Sequence, residues 1–181
     1  MKRFRKYILW GFSLLAGGIA AALLVIALLP ETFTVEREVT IDRPVDEVFD
    51  YLSHLRNQPN FSMWSQLDPQ MESTFRGTDG TAGSIYAWNS NDSNVGAGEL
   101  EVIGLEDNRR IELEIRVTRP FVSTDPTIIE FEAIDAGRTS VKQTYFGKMP
   151  YPMNALCSVV STTIGDGMDT TLQNLKRQLE N

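Results

Sequence analysis

Few side chains in this sequence can do chemistry, and their scarcity narrows what it can be. His54 is the single histidine and Cys157 the single cysteine. An ordinary zinc site needs several such ligands, and any Cys/His or Ser/His catalytic pair would have to be built on His54. His54 lies near the end of the amphipathic segment "YLSHLRNQPN", where a solvated surface role is expected. With one cysteine no internal disulfide can form, so packing alone must hold the fold. The stretch 60–71, "NFSMWSQLDPQM", sets Phe61, Met63 and Trp64 ahead of an Asp-Pro pair. Asp68 reads as a turn former whose carboxylate caps nearby amides, not as a general acid. Arg37, Tyr86 and Tyr145 are the polar candidates on rows expected to face inward, and an edge position reaching solvent is expected for Arg37. No catalytic constellation emerges, and no metal site or cofactor is implied. "GTDGTAG" is glycine-rich but lies between strands with no helix after it, so it reads as a turn and not a phosphate loop.

Elements of readable period must position these groups. "FTVEREVTID" alternates Phe33, Val35, Val39 and Ile41 with polar residues, as a half-buried strand does. "RPVDEVFDYLSHL" changes to a helical period, with Val45, Val48, Phe49 and Leu52 on one face, Pro44 in the first turn and Asp42 ahead as a cap. "GSIYAWN", "GAGELEVIGLE", "RRIELEIRVT", "TIIEFEAID" and "RTSVKQTYF" then alternate between turn clusters, predicting antiparallel strands joined by hairpins. Tyr86 and Trp88 share one face of the first of these. From about Pro152 to Leu179 the helical period returns, with Leu156, Val160, Ile164, Met168, Leu172, Leu175 and Leu179 in one stripe. Such a helix is close to 40 Å long at about 1.5 Å per residue, enough to cross a sheet. Gly165 and Gly167 interrupt it, each at a cost of roughly 1 kcal/mol relative to alanine. They make room for a ligand or let the helix bend. Met149, Met153 and Met168 offer an adaptable lining or simply fill gaps.

The first thirty residues are of another kind. Residues 1–6 carry Lys2, Arg3, Arg5 and Lys6, and 7–29 form an uncharged apolar run that stops at Pro30. A membrane span needs about 20 such residues, more than a secretory leader's apolar core, and "VIALLPETF" lacks a small-x-small cleavage site. A retained anchor is expected, with the cations holding the N-terminus in the cytoplasm and the remainder across the membrane, on the periplasmic side or cell surface if bacterial. Tyr7 and Trp10 suit the cytoplasmic interface. Setting aside the four N-terminal cations leaves 13 basic residues against 24 acidic, a net charge near -11. That excludes a nucleic-acid partner, which needs a basic stripe, and disfavours tight docking on anionic headgroups. Only "PET" separates Leu29 from Phe33, roughly 10 Å of chain, so the globular part must sit against the membrane. Its length suits one domain.

Strand, short helices, a run of antiparallel strands and one long C-terminal helix is an α+β order in which a helix covers a curved sheet. Several motifs carry a family resemblance. "VEREVTIDRPVDEVFDYLSHLRN" is similar to an opening strand ending in I-x-x-P and followed by a short V-F helix. "MWSQLDPQM" resembles W-S-x-x-x-D-P-x-M, "GTAGSIYAWNSND" with "GAGELEV" resembles G-x-G-x-x-Y-x-W-x-x-N with G-x-G, and "RPFVSTDPTIIEF" resembles P-F-x-S. In this order they resemble membrane-anchored members of the SRPBCC (START-like, polyketide cyclase/dehydrase) superfamily across 33–181. The resemblance implies a helix-grip fold, β-αα-β6-α, around an apolar cavity, and an apolar small molecule or lipid as partner. Departures at "NFSMWS" and "NSNDSNVG" touch the mouth of that cavity. Phe61, Met63, Trp64, Tyr86, Trp88, Tyr145, Gly165 and Met168 are the candidate cavity or rim residues, with Phe61, Met63 and Trp64 as a lid or membrane-facing lip.

Three functions stay open. A non-enzymatic domain would hold a lipid or isoprenoid. A cyclase- or dehydrase-like enzyme acting on a hydrophobic ketide would need an ionisable group buried in the cavity. A structural or interaction protein of the cell envelope would fill the cavity with its own side chains, leaving less than the roughly 300 Å³ a ligand needs.

Overall fold

The computed structural model describes residues 2–181, with side chains from Trp10 onward. The side chains of residues 2–9, among them Tyr7 and the four cations expected to set the orientation, lie outside the described residues. Helix α1 (Lys2–Ala27) leads into strand β1 (Thr32–Ile41), then α2 (Val45–Ser53), a 3-10 turn, α3 (Gln58–Phe61) and α4 (Met63–Leu67). Six strands follow: β2 (Glu72–Arg76), β3 (Ile85–Asn89), β4 (Ala97–Glu106), β5 (Arg110–Arg119), β6 (Ser123–Asp135) and β7 (Arg138–Lys148). A 3-10 turn (Met153–Leu156) leads into the last helix, α5 (Cys157–Glu180).

The strands form one antiparallel sheet in the order β1-β7-β6-β5-β4-β3-β2, and α5 runs along its concave face beside β1. This is the α+β helix-grip architecture. Inward rows follow the period of two: Val35, Val39 and Ile41 on β1, Leu100 and Val102 on β4, Ile111 and Leu113 on β5, Ile129 and Phe131 on β6 are all buried. Leu172 and Leu175 of α5 close on them, with Val48 and Leu52 of α2 completing the cluster. At roughly 25 cal/mol per Å² of apolar area, this burial is the main force holding a chain without disulfides.

Several details differ from expectation. Pro44, not Asp42, stands at the N-terminus of α2, and the Asp42 amide instead donates to Glu180 Oε1 at 2.7 Å. β2 shows no alternation, because only Phe75 on it is even half-buried. The α-helix at the C-terminus begins at Cys157, so Leu156 at the head of the apolar stripe is exposed. β6 starts four residues earlier than the readable pattern and includes Pro126. Proline is tolerated there because β7 pairs with β6 only from Thr127 onward, leaving 123–126 a local edge.

α1 is long and apolar enough to cross a membrane. Its window Trp10–Ala27 has a mean hydropathy of 2.1 and none of it is buried against the domain. Its last turn is held at one point: Asn154 Nδ2 donates to the Ile26 carbonyl at 2.8 Å and the Leu29 carbonyl at 3.0 Å. The Ile26 carbonyl accepts from the Leu29 amide as well, at 3.0 Å, so the side chain braces the turn that ends the helix.

Candidate functional site

Between α5 and the curved sheet lies a cavity of about 290 Å³. Ile164, Met168 and Leu172 of α5 face Tyr86, Leu100, Leu113 and Tyr145 of the sheet across it, with Phe61 and Trp64 from the 60–71 stretch as a cover. That cover is pinned to α5, since Thr171 Oγ1 accepts from the Met63 amide at 3.0 Å and Asn174 Nδ2 donates to the Phe61 carbonyl at 3.1 Å. Asp68 acts as a turn former: its carboxylate accepts from the Gln70 amide at 3.2 Å and from the Ser90 hydroxyl at 2.5 Å. It thereby ties the cover to the β3–β4 hairpin.

The polar groups of the wall are few. Tyr86 Oη and Thr127 Oγ1 are buried and have no hydrogen-bond partner among the described residues. Burial raises the pKa of the Tyr86 phenol, an effect offset in part by the nearby Ser65 side chain, although no hydrogen bond of ordinary geometry joins the two. Burial and then the neighbouring Asp125 carboxylate raise the Tyr145 phenol far above its ordinary value. Both phenols therefore stay protonated at physiological pH and can donate a hydrogen bond but not abstract a proton. Asp125 is 3 % exposed beside Tyr145 and is not itself part of the wall.

The two helix glycines accommodate side chains. A Cβ on Gly165 would strike the Arg37 guanidinium, which crosses α5 there to reach Asp169 Oδ2 at 2.6 Å. A Cβ on Gly167 would come within 2.7 Å of the Trp64 ring and 2.8 Å of the Met63 methyl. Neither glycine supplies ligand space of its own, and Gly165 and Met63 stand outside the cavity wall. The other six candidates, Phe61, Trp64, Tyr86, Trp88, Tyr145 and Met168, are in it. Phe61 is 4 % exposed and Trp64 half-buried on α5, which does not suit the membrane-facing lip expected of them. His54 is structural: Nδ1 meets the Asp50 carbonyl at 2.7 Å, and the ring packs where Gly80 lacks a Cβ.

Sequence reading missed Thr127, Asp125, Gln143 and Arg119. The period of two, carried back from Phe131 and Ile129, points to Thr127 and Asp125; Pro126 masked it. Arg119 lies at the end of β5, where its Nη2 donates to Asn89 Oδ1 at 2.5 Å and the Ser90 carbonyl at 3.2 Å. The wall residues that are exposed are Asn94, Arg119 and Pro120, so the cavity opens beside the β3–β4 hairpin and the β5–β6 loop. The hairpin segment "NSNDSNVG" thus does reach the mouth.

Solved structures share this fold. The protein MLL2253 of Mesorhizobium loti superposes with a TM-score of 0.60 at 14% identity, covering 82% of this chain and 97% of its own. An Aha1 dimer from Colwellia psychrerythraea gives 0.57 at 14% identity, covering 82% and 96%. DynU16, a protein of the dynemicin biosynthetic locus, gives 0.57 at 16% identity over 82% of this chain; this chain spans 47% of DynU16. At such identities the likeness is one of fold. No curated protein matches the chain. The family model described as polyketide cyclase/dehydrase and lipid transport matches residues 32–180, the whole of the grip from β1 to the end of α5. The chain belongs to this family, within the SRPBCC superfamily.

Proposed function

We propose that this is a membrane-anchored domain that holds an apolar small molecule, a lipid or isoprenoid drawn from the adjacent bilayer, without catalysis. The carrying observation is the cavity of about 290 Å³ with an apolar wall and two orphaned hydroxyls. A cavity of that size suits a single chain or small ring system better than a two-chain lipid. Tyr86 and Thr127 would each offer a hydrogen bond to a polar atom of such a ligand. Native mass spectrometry of the full chain released from phosphatidylcholine nanodiscs is expected to show a bound apolar adduct. A clean apo mass, with no uptake of a fluorescent fatty acid, would sink the reading. The volume lies at the lower edge of ligand-holding cavities, and that negative result would favour the envelope interaction protein.

In this reading α1 is a retained span with its N-terminus in the cytoplasm. An Asp107→Cys label in intact cells should react with a membrane-impermeant maleimide if the domain lies outside, and only after lysis if it does not.

The Tyr145 phenol in the cavity wall, with Asp125 beside it, favours a second reading, a cyclase-like enzyme on a hydrophobic ketide. It requires turnover of a model polyketide that is lost in Tyr145→Phe while binding persists. Absence of turnover by the natural protein removes it.

A further inference from the structure

We propose that the end of the domain around the cavity mouth is embedded in the membrane surface beside α1, so that the mouth opens into the bilayer and a ligand passes between the two without crossing water. This rests on the reading of α1 as a span and of the cavity as a ligand site.

Strand register fixes which end this is. Thr32 pairs with Lys148, Tyr145 with Thr127, Val117 with Ser123, and Ala97 with Arg119. The start of β1, the end of β7, the β5–β6 loop and the β3–β4 hairpin therefore share one end of the sheet. α1 joins at this end, clamped by Asn154 and by the Met149 amide, which donates to the Glu31 carbonyl at 2.7 Å. The exposed wall residues Asn94, Arg119 and Pro120 belong to the same end. Mouth and anchor thus point the same way.

Large apolar side chains stand in water here. Phe121 is 70 % exposed and Val122 86 % on the β5–β6 loop, and Val159 is 65 % exposed on the first turn of α5. Tyr151, Met153 and Leu156, next to the Asn154 clamp, are exposed as well. The turns at the opposite end, 77–84, 107–109 and 136–137, carry no large apolar residue. Exposed apolar side chains gathered at one end of a domain mark an interaction surface, and these share the end at which a membrane-length helix joins. The bilayer is the occupant that this placement selects. The acidic balance of the domain points to insertion of side chains into a zwitterionic surface and not to charge-driven docking.

The test uses the full chain in phosphatidylcholine nanodiscs, in a Cys157→Ala background. Environment-sensitive labels are placed at Val122→Cys, Val159→Cys and, as reference, Asp107→Cys in the β4–β5 turn. A quencher carried high on a lipid acyl chain should remove most of the fluorescence at 122 and 159 and little at 107, with an aqueous quencher giving the reverse. A label at 122 that behaves as at 107 overturns the proposal. So does one shielded from the aqueous quencher yet untouched by the lipid-borne one, which would mean a protein partner or a second copy. The double variant Phe121→Asp/Val122→Asp, both residues being exposed, should keep its circular dichroism and slow uptake of a fluorescent fatty acid from vesicles by on the order of tenfold. Unchanged uptake also overturns the proposal. Deep labels with no uptake at all leave docking standing and remove the ligand reading alone.

Discussion

The two ends of the grip are built to different specifications. At the far end, Leu175 of α5, Val48 of α2, Ile41 of β1 and Val141 of β7 are each 0 % exposed. There the helix is fastened by Lys176, which donates to the Thr40 carbonyl at 2.7 Å, and by Glu180 on the Asp42 amide. At the α1 end the same helix leaves Val159 in solvent, as the turn before it leaves Leu156, and it carries two glycines where the Arg37 and Trp64 side chains press close. α5 thus lines the cavity from Ile164 to Leu175, is packed down at its C-terminal end and stands in solvent at its N-terminal end. Substitutions at the two ends of one helix should therefore differ in their effect on stability.

The largest effect that could break this comparison is at Leu175. Leu175→Ala would enlarge the cavity whose wall it helps form and should cost about 2–5 kcal/mol, read as a lower urea midpoint. Val159→Asp should change stability by less than about 0.5 kcal/mol. Equal losses at the two positions would mean that the α1 end is packed as tightly as the far end.

The next effect separates the two glycines. Alanine at either position gains about 1 kcal/mol of helix propensity. At Gly167 the new methyl meets a rigid indole at 2.7 Å, and overpacking of that kind costs about 1–3 kcal/mol, so Gly167→Ala should be destabilising on balance and shift the Trp64 emission. At Gly165 it meets only the end of a flexible arginine, whose exposed ion pair with Asp169 is worth about 0–1 kcal/mol. Gly165→Ala should be close to neutral. The reverse order would show that the cover formed by Trp64 is looser than its contact with α5 suggests.

Legibility followed burial. The buried rows were readable, because Val39 and Ile41, Ile111 and Leu113, and Leu172 and Leu175 repeat at the periods of their elements. β2 was not, since its one half-buried side chain, Phe75, owes its burial to Tyr86 and to the Arg56 guanidinium 4.9 Å above its ring. The apolar members of the cavity wall could be named from the strand rows and from "NFSMWS". Two of its polar members could not: Thr127 follows a proline that signals a break, and Arg119 lies at a strand end. Gly165 and Gly167 announced a close approach, but which side chains approach depends on residues 128 and 103 positions away in sequence.

On the outer face Arg116 has found partners where the inner hydroxyls have not. Arg116 donates to Glu99 Oε1 at 2.8 Å and Glu114 Oε1 at 2.5 Å, and to Glu101. The Arg116 hydrogen bond, more than its charge alone, lowers the pKa of Glu99. With the folded value below the unfolded one, this stabilisation is complete above the ordinary glutamate range and is lost as pH falls through the folded value. Arg116→Ala should therefore cost about 1 kcal/mol at neutral pH and less in acid. A loss that is independent of pH would assign the role of Arg116 to packing of its stem.

The smallest effect bears most directly on the open end. Thr127 is 1 % exposed with its hydroxyl unpaired, an arrangement that costs about 1–3 kcal/mol unless something polar enters the cavity. Thr127→Val keeps the shape and removes the orphan, so in the empty protein it should be neutral or raise stability by up to about 1 kcal/mol. With a fluorescent fatty acid bound, the same change should weaken binding by roughly fivefold, the equivalent of one hydrogen bond of about 1 kcal/mol. Tyr86→Phe should repeat the pattern if both hydroxyls serve one ligand atom. Opposite signs for stability and affinity in one variant are the mark of a binding group, because a hydroxyl kept for the fold would lose both together.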